Sequence, residues 1–509
     1  MKRSLVFPLL ALLLVSAACN STNRLGIGGS DASKDARDLL VSGPEIDANG
    51  VTGSTVLNAD GTTTVIGPDG APVAGKPGTK TAPGATAGSA GPGALPLGGG
   101  PSAGFVGPGV SATEIKIGLT LVEAGEIFGD ATGVPVDFGN TEAQAQAVVD
   151  YVNKNGGIAG RKVVPVYYKF DLSRAGLADG QSEQEACAKW TDDNRVFAGS
   201  NTVLARQSLL ICLAKRGVPA IHNGMPIDEK TLNDYRNFWY TSFGGAGLTL
   251  DRLAEKQVKV YASQGLFGPD AVVGIEHFDD PAYKRVVDEV FRPELAKVGV
   301  KKIVTQPAPR GGLEATSYVV NFKREGVTHV LFLGEGGLYP LFFMRAAEDQ
   351  QFFPKYGLHT DHAMALLLQG QAGAPPQQLA NANAMGWTPA VDVDGVHDPG
   401  PVSARNALCL DIQKKAGQDM SNRGALVTAL GYCEGVFLLQ QALAPVREIT
   451  VAGLSAGMSA LGTSFASAGT FATRFSPGRR DGVDAYRDVK YTIGCGCFAY
   501  TSPVKGMPQ

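Results

Sequence analysis

From Ile115 onward the sequence switches repeatedly between two apolar spacings, and this alternation restricts the fold more than any other feature of the chain. Ile115, Ile117, Leu119 and Leu121 recur with the two-residue period of a strand. After a loop, Thr141-Glu142-Ala143-Gln144 reads as a capping box opening a helix whose Ala147, Val148, Tyr151 and Val152 share a face, and Gly156-Gly157 closes it. A second strand follows at 163–168, then a helix near 183–190, a strand at 196–198, a helix over 204–215 and a strand at 219–221. This order buries its strands in a parallel sheet with right-handed crossovers. Pro165 has no N–H to give to a ladder, so its strand belongs at an edge, which is where the flavodoxin-like order 2-1-3-4-5 puts the second strand. The pattern restarts at Ala271, with strands at 271–275, 302–304, 330–333 and 357–358 and helices over 283–297, 313–324 and 339–349. Two α/β lobes, each with a parallel central sheet, are therefore expected. No repeat of solenoid length is visible.

The segment before this region has a different character. Met1-Lys2-Arg3, an apolar run from Leu5 to Val15 and Ser16-Ala17-Ala18-Cys19 follow the order of a secretory signal over 1–18. The run is too short for a stable membrane span. Its end resembles a bacterial lipobox, which implies diacylation of Cys19 and an extracytoplasmic protein anchored to the cell membrane by that residue. From 19 to 110 the chain is dominated by Gly, Ala, Pro, Thr and Ser, a composition that cannot bury a core and reads as a disordered tether. A flexible segment of this length has a root-mean-square reach of roughly 50 Å. The 509 residues are 44% hydrophobic and 18% charged, enough for a large core in two or three domains. The net charge of −3, with bases dispersed among acids, argues against nucleic acid as a partner.

Besides Cys19 there are six cysteines: Cys187, Cys212, Cys409, Cys433, Cys495 and Cys497. Export permits disulfides, and sequence proximity favours Cys187 with Cys212 and Cys409 with Cys433. Cys495-Gly496-Cys497 is open between a structural bridge, unpaired thiols in a final strand, and a reducible bridge. Gly453-Leu454-Ser455-Ala456-Gly457 matches a nucleophile elbow, yet the last histidine is His397, upstream of Ser455, whereas that fold needs a histidine downstream. The segment reads as a small-residue helix capped by Thr450. His359, Asp361 and His362 match no common zinc spacing, and there is no phosphate-binding glycine loop, so no metal and no cofactor are expected.

Ligands of open α/β sheets bind beyond the carboxyl ends of the strands. In the first lobe those loops run from Glu123 to Phe128, Gly199 to Thr202 and His222 to Met225, rich in small donors suited to a carboxylate. In the second they run from Glu276 to Asp280, Gly334 to Tyr339 and through Asp361-His362. Glu276, Asp280, Glu335 and Asp361 are acids suited to an ammonium or to sugar hydroxyls.

Glu114-Ile115-Lys116-Ile117-Gly118-Leu119 and Tyr151-Val152-Asn153-Lys154-Asn155-Gly156-Gly157-Ile158-Ala159-Gly160-Arg161-Lys162 resemble the opening of the leucine/isoleucine/valine-binding protein family, the type I periplasmic binding proteins of ABC importers. Gly217-Val218-Pro219-Ala220-Ile221 and Gly336-Gly337-Leu338-Tyr339-Pro340 extend the likeness, which covers about 111 to 509. The resemblance implies two lobes joined by three crossings, near Phe243, Trp387 and Tyr486. Lobe 1 would take 111–242 and 388–485, and lobe 2 would take 243–387 and 486–509. Such proteins close on a ligand by hinge motion, deliver it to ABC permease subunits and perform no chemistry on it. The implied ligand set is Phe128, Ser200, Asn201, Thr202, Asn223, Gly224, Met225, Glu276, Asp280, Tyr283, Glu335, Tyr339 and Asp361. Asp361 falls near the position of an ammonium-binding acid, and Tyr339 at that of a pocket aromatic. Met225 departs from the hydroxyl donors usual in amino-acid binders. The expectation is a monomeric, non-enzymatic substrate-binding lipoprotein for branched-chain amino acids or related amides. The alternative is a ligand-sensing receptor of the same fold without a transport partner.

Overall fold

The structure, a computed structural model, describes residues 45–46, 52–57, 63–66, 107–123, 136–171, 180–201, 207–222, 224–309, 314–334, 338–368, 373–400 and 402–509. The chain divides into two units, Met1–Pro92 and Gly93–Gln509. In the first, Glu45–Ile46 pairs antiparallel with Thr52–Leu57, which pairs with Thr63–Ile66. These strands fall within the stretch that composition reads as disordered tether. Their β-branched residues flank Asn58-Ala59-Asp60-Gly61, a turn-forming sequence, and that local pattern is a hairpin signal whatever surrounds it. The signal segment and Cys19 lie outside the described residues.

The second unit contains two sheets. One comprises β1 (Glu114–Glu123), β2 (Lys162–Asp171), β3 (Ala198–Asn201), β4 (Ala220–His222) and β5 (Trp239–Tyr240), all parallel in the order β2-β1-β3-β4-β5. Pro165 sits on β2 opposite Ile117, at the sheet edge where its missing N–H costs no ladder bond. Ile115, Ile117, Leu119 and Leu121 all point into a core with helices Thr141–Lys154 and Arg423–Leu443. The opposite face is filled by Trp190, whose ring lies 2.5 Å from where a Cβ on Gly118 would stand and 2.8 Å from one on Gly199. The two glycines are what let so large a ring lie flat on the strands. Its indole N–H donates to Val166 O at 3.0 Å.

Two helix starts refine the sequence reading. The cap of helix Thr141–Lys154 is Asn140, one residue before the expected Thr141; its side chain accepts from Ala143 N at 3.0 Å. Thr141 instead donates its hydroxyl to Val122 O at 3.2 Å, tying the helix start to the end of β1. Asn is the stronger cap, so the helix starts on Asn140 and not on the hydroxyl of Thr141. Thr450 caps helix Val451–Ala460 as expected, accepting from Gly453 N at 3.0 Å. Helix Arg423–Leu443 is long and apolar enough to cross a membrane, but it lies largely buried inside this lobe, where a Cβ on Gly435 would come within 2.1 Å of Ser200 Oγ.

The second sheet holds β6 (Val272–Phe278), β7 (Lys302–Ala308), β8 (His329–Leu333), β9 (Lys355–His359) and β10 (Ala382–Gly386), parallel in the order β7-β6-β8-β9-β10. It is extended antiparallel by β11 (Ala485–Thr492) and β12 (Cys497–Tyr500). Both lobes therefore carry the flavodoxin-like order, and the late hairpin is an addition to the second. The chain passes between the sheets three times: after β5, after β10, and again before β11.

All six described cysteines are bridged. Cys187–Cys212 and Cys409–Cys433 each join two helices of the first lobe, closing loops of 25 and 24 residues. By loop-closure entropy each such bridge contributes about 3.5 kcal/mol. Cys495–Cys497 spans a single residue, Gly496, which takes the left-handed conformation at φ 60°.

Candidate functional site

Strand β6 ends the apolar run Val272-Val273-Gly274-Ile275 with Glu276-His277-Phe278. Alternation turns Glu276 to the same side as Gly274, which packs on Phe322 of helix Ala315–Arg324. Ladder register sets Glu276 directly opposite Phe332 on β8. Around this pair a small cavity, with room for about one water molecule, is lined by Glu276, His277, Phe278, Ala308, Phe332, Gly334 and Tyr339. Phe278 meets Tyr339 edge-on at 5.0 Å and Tyr283 at 5.2 Å, so the aromatic side of the cavity is a packed assembly. Tyr339 donates its hydroxyl to Pro309 O at 3.0 Å.

Glu276 is the unusual member. It is 4% exposed, and its Oε2 finds no hydrogen-bond partner among the described residues. Burial pushes its carboxyl up to about 8. A carboxyl taken out of water without a partner costs several kcal/mol if ionised, so it keeps its proton at neutral pH and presents a polar group to the cavity. A ligand that supplies the missing partner recovers that cost.

Behind Phe332 lies a second buried group. His362 meets the Phe332 ring edge-on at 5.6 Å, and His359 stacks beside His362 with centroids 3.8 Å apart. The backbone N–H of His359 donates to His362 Nδ1 at 3.2 Å. Burial lowers both, His359 to about 3, so the pair is neutral. His359 also stacks on Trp387 at 6.0 Å, which links the end of β9 to the second crossing.

The crossings are themselves bonded to one another. Trp387 Nε1 donates to Gly244 O at 2.9 Å, and Gly482 N donates to Thr241 O at 2.6 Å. Asp481 accepts from Thr249 N at 2.8 Å and pairs with Arg252 at 2.7 Å. Two buried acids stand here. Glu434 accepts from the Ser242 hydroxyl and from Ala468 N, and burial raises it to about 7. Asp392 accepts from Thr388 N and the Tyr500 hydroxyl, both at 2.8 Å, and burial likewise raises it to about 7.

The expected ligand residues distribute unevenly over this frame. Glu276 and Tyr339 meet at the cavity, and Tyr283 buttresses it from behind Phe278. Asp280 caps helix Pro281–Val286, accepting from Ala282 N at 2.9 Å. Asp361 is buried against the first crossing: a Cβ on Gly245 would fall 1.7 Å from its Oδ1. Ser200 faces helix Arg423–Leu443, and Met225 is buried with Leu248 and Leu250. Gly224 is buried beside it, and Asn201 ends β3. Phe128, Thr202, Asn223 and Glu335 lie outside the described residues. Sequence reasoning did not single out Phe332, although its position opposite Glu276 follows from pairing the first and third strands of a flavodoxin-like sheet.

The sequence profile described as periplasmic binding protein matches residues 127–487. The chain belongs to the periplasmic binding protein family. No curated protein matches the sequence. Among solved structures, this periplasmic binding protein is similar to a fatty acid ABC transporter substrate-binding protein from Thermomonospora curvata, at 17% identity and TM-score 0.55, covering 79% of this chain and 95% of that one. It is also similar to a solute binding protein of an ABC transporter from Rhodopseudomonas palustris HaA2 in complex with p-hydroxybenzoic acid, at 13% identity and TM-score 0.57, covering 78% and 98%. A branched chain amino acid ABC transporter protein from Thermus thermophilus with bound valine matches at 13% identity and TM-score 0.52, covering 77% and 96%. The family is one of extracytoplasmic proteins that bind small solutes, and the two-lobed fold with three crossings is its architecture.

Proposed function

We propose that this chain is the substrate-binding lipoprotein of an ABC importer, held to the membrane through Cys19, closing its lobes on a small organic solute and handing it unchanged to permease subunits. The amino-acid and amide class stands first. The observation that carries this reading is Glu276: a buried carboxyl lacking a partner for Oε2 among the described residues, at the carboxyl end of a central strand, over an aromatic-lined cavity. An ammonium or amide N–H placed against that oxygen supplies the absent partner. The lobes take 111–242 with 388–485 and 243–387 with 486–509, so that hinge motion runs through the bonded crossings. Ser455, in the elbow-like motif, donates its hydroxyl to Asn237 Oδ1 at 3.1 Å.

The aromatic wall of Phe278, Phe332 and Tyr339 favours a second ligand class, aromatic or aliphatic monocarboxylates, and the family's solved members include a complex with p-hydroxybenzoic acid. The two classes use Glu276 in opposite protonation states. An ammonium ligand draws the carboxyl into its ionised form and releases a proton, so affinity rises with pH through about 8. An anionic ligand needs the protonated carboxyl as donor, so affinity falls over the same range. A thermal-shift screen of amino acids, amides, sugars and aromatic acids tests the reading, since a ligand at a hundred times its Kd stabilises by about 2.7 kcal/mol. A broad panel in which no solute moves the melting temperature removes the transport reading.

A further inference from the structure

The hairpin added to the second lobe carries chemistry that solute binding does not use. Cys495 and Cys497 stand at the turn between β11 and β12, Cys495 exposed and Cys497 at the start of the strand. Cys497 is buried, as are all four cysteines of the other two bridges, so Cys495 is the exposed end of this one. Against the hairpin lies the loop that follows the second crossing, and it presents His397. Its Nε2 is 3.6 Å from Cys497 Sγ, and one ligand atom each from His397, Cys495 and Cys497 lie within 4.8 Å of one another.

The orientation of the imidazole is fixed by a third group. His397 Nδ1 is 2.8 Å from Asp394 Oδ1. A carboxylate only accepts, so Nδ1 carries the proton and the Nε2 lone pair of the neutral ring faces the sulfur. Asp394 is held in turn by the backbone N–H groups of Val396 and His397, at 3.0 and 2.9 Å. A carboxylate–histidine pair aiming a bare nitrogen at two cysteines is the arrangement of a thiolate metal site with its supporting shell. The spacing agrees. Bonds of about 2.1–2.3 Å in a tetrahedron put neighbouring ligand atoms roughly 3.5 Å apart.

We propose that Cys495, Cys497 and His397 form a redox-gated site for a thiophilic metal ion such as Zn²⁺, closed while the two cysteines are bridged and opened by reduction. The reductant is a dithiol of the exported thiol–disulfide exchange class. It gives two electrons to the Cys495–Cys497 bond, leaves as its own disulfide, and its two protons end on the freed sulfurs. Metal binding then displaces both thiol protons. The two thiolates and Nε2 supply three ligands, a water completes four, and Asp394 is the positioning residue. The bound ion fastens the loop after the second crossing to the hairpin of the second lobe.

The test uses the full chain, with and without dithiol treatment, and titrates Zn²⁺ against a competing chromophoric chelator. Treatment that frees two thiols by colorimetric count is expected to create one zinc site; the bridged protein is expected to have none. Co²⁺ in place of zinc should give a thiolate charge-transfer band that reports sulfur ligation directly. His397→Ala should weaken zinc at least 10-fold, and Asp394→Asn should weaken it about 10- to 100-fold while leaving the thiol count unchanged. Circular dichroism of each variant separates lost ligation from lost folding, and His397→Gln replaces His397→Ala should the latter misfold. Three results overturn the proposal: a reduced protein that takes up no zinc, equal affinity in Cys495→Ser/Cys497→Ser, or opening of the helix-joining bridges before Cys495–Cys497.

Discussion

Replacing Glu276 with Gln should stabilise the protein, and by an amount that depends on pH. The folded carboxyl titrates near 8, against an ordinary value of 4.5, because burial penalises its charge. Between these two values the unfolded chain has given up a proton that the folded chain retains. The unfolded state then binds fewer protons, so stability falls as pH rises, by about 1.4 kcal/mol per pH unit across that window. The contribution of the neutral carboxyl is fully present below pH 4.5 and is lost as pH rises through about 8. By pH 7 the loss is about 3 kcal/mol. Gln has nearly the same shape, keeps a hydrogen-bonding head and does not titrate. The difference between variant and parent should therefore be a little under about 1 kcal/mol at pH 5 and should grow to about 3 kcal/mol in favour of Gln at pH 7, several degrees in Tm. Asp392 and Glu434, the other buried acids with raised values, are common to both proteins and cancel in the difference. Thermal unfolding from pH 5 to 8.5 without ligand measures it. A variant whose advantage stays constant across that range would mean that Glu276 is charged and partnered in the folded state, and the argument for its role in the cavity would fail with it.

The same variant bears on binding. With an amino-acid or amide ligand, Glu276→Gln should remove the pH dependence of affinity near 8 and weaken an ammonium-bearing ligand by 10-fold or more, measured by calorimetry at two pH values. Gly118→Ala should cost about 1–3 kcal/mol by denaturant unfolding, because the new methyl would stand 2.5 Å from the Trp190 ring, and an unchanged midpoint would mean the ring moves freely. Gly245→Ala should disturb the first crossing, since its Cβ would fall 1.7 Å from Asp361 Oδ1; ligand affinity should drop with little change in helix content, and unaltered affinity would separate Asp361 from hinge closure.

How much of this was legible in the sequence differs between fold and site, for a physical reason. Strand order followed from local facts. Pro165 lacks a donor and so goes to an edge, and the two-residue period of Ile115 to Leu121 defines one buried face of a central strand. Such signals act within a few residues, and the sequence contains them. The site depends instead on what distant residues do to one another. Glu276 reads, in sequence, like any acid ending a strand; its raised value comes from burial beneath neighbours such as Phe332, brought to it by pairing across more than fifty residues. Asp361 illustrates the converse. Its position after the fourth strand matches that of a ligand acid, but its carboxylate is packed against Gly245 of a crossing. On the proposed function, a residue so placed acts on ligand affinity through lobe closure, whereas Glu276 acts on it by contact. The distinction has a measurable form: a ligand analogue lacking its ammonium should lose the effect of Glu276→Gln and keep that of Gly245→Ala.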